Sequence, residues 1–338
     1  MRAPSITDGF EVLCLQAADE GRGPVLFGDC LERVRTVMLP FITGDHCPET
    51  YLEFPLMGDP FLDVTLLYGQ QKEPLHIDSP LAAGTEEMLA WYQRESLQHE
   101  SITCGFELDT KKPQVPAAAV HFQPRWYTEL VEPFFAALGE PERAQLYLDL
   151  AARMPKGWEL SFFGLFRGRP SSPMRVCGYL DNDVRKAMVD DPRYLAGIFD
   201  EVGFAAYDGV LLEKASHLAA VVLGQIDFQF DVYPDGHLGD TFAFDLRFGL
   251  QRASVVREEF AHGRSARVME MLEKWGIADE RWKLGVDATM TRAIPVELED
   301  GSLGRYAFSI MPMWVKARWS AGVLQPSKFY LQGSAGLL

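Results

Sequence analysis

Five cations, four large aromatic side chains and several carboxylates stand at alternate positions of otherwise apolar segments. The cations are Arg175, Arg247, Lys316, Arg318 and Lys328, and the aromatics are Tyr179, Tyr233, Trp314 and Tyr330. Glu53 sits in the middle of LEFPL (52–56), and His121 within AAAVHF (117–122). Grouped cations hold a phosphate-like anion through charge-assisted hydrogen bonds. Aromatic faces stabilise a cation and keep water away from it. A carboxylate orients a reacting group and takes its proton. These groups act together only if the fold brings them to one place.

The elements that carry them alternate with period two. In DFQFDVYPDGHLGDTFAFDLRF (227–248), Phe228, Phe230 and Val232 alternate with Asp227, Gln229, Asp231 and Tyr233. After the turn PDGHLGD, Phe242, Phe244, Leu246 and Phe248 alternate with Thr241, Ala243, Asp245 and Arg247. This is a hairpin with one apolar and one polar face. Four more pairs follow the same rule: 51–57 with 61–68, 101–109 with 117–124, 157–166 with 173–180, and 305–320 with 327–333. Their turns are rich in Gly, Pro, Asp or Ser. Helical spacing fills the stretches between, as in GTEEMLAWYQRESL, EPERAQLYLDLAARM and SVVREEFAHGRSARVMEMLEKWG.

The order is helices, then hairpin, five times over, with no linker or low-complexity break. The expected fold is therefore α+β, one domain over 1–338. Ten mainly antiparallel strands leave no unpaired edge only by closing into a barrel. Helices would ring the apolar faces, and the polar faces would point inward. The alternative is an open helix-covered sheet with its polar face in solvent. Under closure, strand parity points Glu53, Asp63, Thr65, Thr103, Glu107, His121, Arg175, Cys177, Tyr179, Asp227, Asp231, Tyr233, Asp245, Arg247, Trp314, Lys316, Arg318, Lys328 and Tyr330 inward.

Composition excludes other classes. The chain has 338 residues, 47% hydrophobic and 24% charged, with a formal net charge of −16. That balance repels nucleic acid and anionic membranes. No charged-then-apolar leader and no run of 18 apolar residues is present, so a cytoplasmic location is expected. Five scattered cysteines (14, 30, 47, 104, 177) form no CxxC pair and read as reduced thiols rather than a disulfide or metal set. GxxxxGK[ST], GxSxG and HExxH are absent.

The element order resembles that of the ABBA-type aromatic prenyltransferases, which wrap five ααββ units into a ten-stranded antiparallel β-barrel. LEFPL (52–56) is similar to their first barrel strand, L-acid-F-x-[IL]. FDVYPDGHLGDTFAF (230–244) is similar to their strand-turn-strand F-x-VYP followed by an apolar strand.

The resemblance implies a transferase that moves a prenyl group from a prenyl diphosphate to an aromatic acceptor, a small molecule or a peptide side chain. Mg²⁺ serves some members and not others. Arg175, Arg247, Lys316, Arg318 and Lys328 would then hold the diphosphate. Tyr179, Tyr233, Trp314 and Tyr330 would shield the carbocation, His121 would line the site, and Glu53 would position the acceptor. Glu49 is a loop alternative to Glu53, and Asp45, His46 and Cys47 form a sequence cluster of lesser weight.

Two departures stand against this. The fourth strand, AAAVHF, lacks the lysine that bacterial members carry. The eighth has Thr241 where they place an arginine. The inward set also holds six acids against five cations. An alternative reading is a non-catalytic barrel that binds a peptide or small aromatic ligand as a pathway accessory. A further one is an open-sheet hydrolase using Asp and His.

Overall fold

The computed structural model describes residues 5–43, 47–69, 75, 77, 85–99, 102–108, 119–122, 128–166, 173–250, 252–298 and 300–338. Among these residues the strands are β1 (Glu49–Pro55), β2 (Asp63–Tyr68), β3 (Cys104–Leu108), β4 (Ala119–Phe122), β5 (Trp158–Phe166), β6 (Met174–Leu180), β7 (Ile226–Val232), β8 (Leu238–Arg247), β9 (Met290–Glu297), β10 (Leu303–Ser320), β11 (Val323–Leu324) and β12 (Lys328–Leu337). β1 to β8 pair in chain order. β8 pairs with β10, β10 with β12, and β12 returns to β1. The ring closes with ten antiparallel strands, as the hairpin order predicts, and the open sheet is excluded.

Closure depends on one long strand. β10 runs 18 residues and pairs with β12 along most of its length. Its other edge pairs first with β9, over 303–310, and then with β8, over 314–320. A bulge between Pro312 and Trp314 marks the change of partner. Sequence reading missed β9. Its stretch MTRAIPVE is half exposed, and Arg292 interrupts the alternation of Met290, Ile294 and Val296 while Pro295 stands within it, as an edge strand tolerates.

The core lies outside the barrel, between the strands' apolar faces and the helices. Phe122 on β4 stacks on Phe134 at 4.6 Å, and Phe242 on β8 meets Phe199 edge-on at 4.9 Å. Such rings carry most of the burial, each contributing about 1.5–3 kcal/mol. Two aspartate caps start helices against this layer: Asp181 accepts from the Val184 N–H, and Asp208 from the Leu211 N–H. Helix Arg281–Asp287 lies so close to the wall that a Cβ at Gly285 would stand 2.9 Å from the Phe54 ring and 3.0 Å from Phe329. The expected long helix over 254–276 is two, Ala253–His262 and Arg264–Lys274, separated at Gly263. There Glu259 accepts from both the N–H and hydroxyl of Ser265.

Candidate active site

The inward faces form belts set by register. Glu53 lies opposite Tyr330 on β12 and opposite Asp63 on β2. Tyr330 lies opposite Trp314, and Trp314 opposite Arg247. One inward position along, Lys328 faces Lys316, and Lys316 faces Asp245. Across the barrel, Arg175 faces Asp231. Because side chains alternate, each belt is a ring of functional groups fixed by backbone pairing.

The lumen has two chambers. A polar one of about 380 Å³ is lined by Glu53, Asp63, Glu107, Arg175, Asp231, Lys316, Arg318 and Lys328, with Phe61, Thr241 and Pro326 among the rest. A smaller one of about 120 Å³ is walled by Tyr51, Phe162, Trp314 and Tyr330, with Asp245, Arg247 and Cys177. Glu53, Glu107, Arg175, Gln229 and Lys316 line both, so the chambers share a wall.

The aromatic wall is continuous. Trp314 stacks on Tyr330 at 4.6 Å and tilts against Tyr51 at 5.0 Å. The Arg247 guanidinium lies 5.2 Å from the Trp314 ring centre, and the Lys316 ammonium 5.2 Å from that of Tyr330. Burial pushes the Tyr330 phenol well above its ordinary pKa, and the nearby Glu53 and Asp245 charges push it further.

Four of the five cations meet carboxylates. Lys328 donates to Glu53 and, at 3.1 Å, to Asp63. Arg175 Nε meets Asp231 at 2.9 Å, Arg247 Nε meets Asp227 at 2.6 Å, and Lys316 lies 3.6 Å from Asp245. Arg318 is exposed and has no carboxylate partner among the described residues.

These pairs fix protonation. Burial would lower the Lys328 pKa, but Glu53 and Asp63 outweigh it and hold it above the usual lysine value. Burial would raise Glu53, but Lys328 and Lys316 hold it below the usual carboxylate range. Asp245 goes the other way: burial pushes it up to about 6, against the pull of Lys316.

The structure brings Glu53, Arg175, Arg247, Trp314, Lys316, Arg318, Lys328 and Tyr330 to this lumen. Tyr233 lies elsewhere. β7 ends at Val232 after a bulge, and the Tyr233 ring stacks on His237 in the turn at 4.6 Å. Tyr179 sits near the end of β6 and donates to Glu159 rather than lining either chamber. His121 is on β4, its backbone opposite Gly105 and Gly164. Glu49 belongs to β1 and accepts from the Tyr51 hydroxyl at 2.7 Å. Asp45 and His46 lie outside the described residues.

Sequence reasoning missed Tyr51, Phe162 and Gln229. Parity finds Tyr51, two positions before Glu53. A bulge between Leu160 and Phe162 hides the second. Gln229, on the polar face of its hairpin but absent from the inward set, donates to Asp245.

The donor set does not fit a Mg²⁺ ion held by the protein alone. Such an ion needs several oxygens turned toward one point. Glu53 and Asp63 converge instead on the Lys328 ammonium. No three His, Cys, Asp or Glu side chains among the described residues gather as a metal site.

A closed ten-stranded barrel with helices outside and a polar, partly aromatic lumen is the ABBA fold of the aromatic prenyltransferases. Solved structures carry the comparison. 5-Dimethylallyltryptophan synthase from Streptomyces coelicolor superposes with a TM-score of 0.56 at 13% identity, covering 98% of each chain. Prenyltransferase PriB, in a ternary complex with L-tryptophan and dimethylallyl thiolodiphosphate, gives 0.55 at 11% identity over 98% of this chain and 96% of its own. AnaPT from Neosartorya fischeri gives 0.52 at 9% identity over 97% and 94%. No family profile matches the sequence, and no characterised protein matches it at the sequence level. Among the described residues no helix is long and apolar enough to cross a membrane.

Proposed function

We propose that this chain transfers a prenyl group from a prenyl diphosphate to an aromatic acceptor inside the barrel. The observation that carries this reading is the shared wall: a chamber lined by Arg175, Lys316, Arg318 and Lys328 opens beside one lined by Tyr51, Trp314 and Tyr330. The diphosphate seats among the cations, where charge developing on the leaving group is stabilised. The allylic carbon then lies toward the aromatic wall. As its C–O bond breaks, the electron pair leaves with the diphosphate and the π faces stabilise the cation. Glu53 holds Lys328 in place and orients the acceptor. Neither a small-molecule nor a peptide acceptor is favoured by the geometry.

One observation favours a second reading, a non-catalytic barrel that binds an aromatic small molecule or peptide. Arg175, Arg247 and Lys328 already hydrogen-bond carboxylates and Lys316 lies 3.6 Å from Asp245, so a diphosphate competes with those acids for the cations.

Calorimetric titration with dimethylallyl and geranyl thiolodiphosphate separates the two, with and without Mg²⁺, on wild type, Lys328→Ala and Arg318→Gln. The transferase reading expects micromolar binding to wild type that weakens by about 1.5–3 kcal/mol when a charged donor is lost. Absence of binding at millimolar ligand, with and without Mg²⁺, selects the non-catalytic barrel.

A further inference from the structure

Resting on the transferase reading, we infer that Asp245, rather than Glu53, takes the proton from the acceptor ring. Glu53 is committed to Lys328. Asp245 is differently placed. It lines the aromatic chamber and is 4% exposed. Its Oδ2 accepts from the Gln229 amide, which fixes the carboxylate. Its Oδ1 is buried with no hydrogen-bond partner, and the nearest cation, Lys316, stands 3.6 Å away, beyond hydrogen-bond length. A buried carboxylate oxygen without a donor is costly unless something else meets it. In this chamber a C–H proton of the acceptor ring does so.

Charged and titratable groups face Asp245 from every side of the lumen. Lys316 comes from β10, Asp227 from β7, Glu53 from β1, Cys177 from β6, Tyr330 from β12 and Arg247 from its own strand. Burial and the acids Asp227 and Glu53 raise its proton affinity, while Lys316 and Arg247 lower it. The balance leaves it at about 6. A base near 6 is ionised at neutral pH and still takes a proton readily.

The step balances. The bond from the allylic carbon to a ring carbon forms as the C–O bond to diphosphate breaks. The ring then holds a positive charge and an sp³ carbon. Its C–H electron pair restores aromaticity, and the proton passes to Asp245 Oδ1. No oxidant or reductant enters.

The test uses the full chain with dimethylallyl diphosphate and a panel of indoles and phenols, comparing wild type, Asp245→Asn, Asp245→Glu and Glu53→Gln. Asp245→Asn is expected to lower turnover on the order of 100-fold with thiolodiphosphate affinity not reduced, since the substitution removes an acid beside Lys316. Wild-type turnover should fall as pH drops through about 6, and Asp245→Asn should lose that limb. A ring-deuterated acceptor should show a larger isotope effect in Asp245→Asn, because proton removal becomes limiting. Asp245→Glu should restore part of the rate.

Wild-type turnover and an intact acid limb in Asp245→Asn, or a limb that moves with Glu53→Gln instead, overturns the inference and leaves the transferase reading standing. Failure of wild type to prenylate any acceptor overturns both. Carboxyl carbon NMR adds an arm that needs no acceptor. The resonance lost in Asp245→Asn should titrate near 6 in wild type, and one still ionised at about pH 4 overturns the assignment.

Discussion

Lys316 and Lys328 are direct cross-strand neighbours, and each is met from its far side by carboxylate, Asp245 for the first and Glu53 with Asp63 for the second. Two like charges placed so would repel and loosen the strand pair. The flanking acids offset that repulsion, and on the proposed reading a diphosphate would be held between the two lysines.

Replacing Lys328 with methionine should therefore cost stability before it costs anything else. It strands Glu53 and Asp63, opposite one another and buried, without the cation that both contact. Breaking such a buried pair costs about 3–5 kcal/mol. Urea unfolding at pH 7 should show that loss, and adding Glu53→Gln should recover much of it. A Lys328→Met protein as stable as wild type would mean the cluster contributes nothing.

Asp245 should mark the pH dependence with the opposite sign to Glu53. Its folded pKa of about 6 lies above the ordinary 3.8. The stability it contributes is therefore full below 3.8 and lost as pH rises through 6. Glu53, held below its ordinary 4.5, contributes stability above that value and loses it as pH falls through its folded pKa. Asp245→Asn should thus be more stable than wild type at pH 8, by on the order of 2–3 kcal/mol, and lose that advantage at pH 4. An equal gap at both values refutes the assignment.

Trp314→Ala should uncouple donor cleavage from transfer. It removes the ring stacked on Tyr330 and the face beneath Arg247. On the transferase reading, water then has access to the allylic cation. The expected outcome is a higher ratio of prenyl alcohol to prenylated product, read by chromatography, with thiolodiphosphate affinity little changed. An unaltered ratio would remove Trp314 from the shield.

Arg318→Gln should leave stability within about 0.5 kcal/mol, as expected of an exposed position. It should slow donor association several-fold at low salt, and the difference should close as salt screens the charge. Stopped-flow binding of a fluorescent prenyl diphosphate reads both. A salt-independent difference would make Arg318 a short-range contact only.

Much of this was legible in the sequence because strand parity is a local property. Alternation alone placed Glu53, Arg175, Lys316, Lys328 and Tyr330 on inward faces, and hairpin order closed the ring. Parity fails where a strand bulges or ends, which is why Tyr233 was read inward and Phe162 was not. Ion pairing is not legible at all. Glu53 and Lys328 lie 275 positions apart, and no local pattern joins them. Nor could sequence separate two aspartates of one hairpin. Asp227 accepts from Arg247 at 2.6 Å, whereas Asp245 keeps one oxygen without a donor.

The pairing of β1 with β12 also sets the tempo of folding. Early and late segments of the chain must meet before the ring closes, so closure is slow. At roughly 5–20 residues per second of synthesis, Glu53 waits about 14–55 seconds for Lys328 to be made, 275 positions later. Through that interval β1 offers an open edge and a buried-to-be carboxylate to the surroundings. Nascent chains of this protein are therefore expected to depend on chaperones until the last strand arrives.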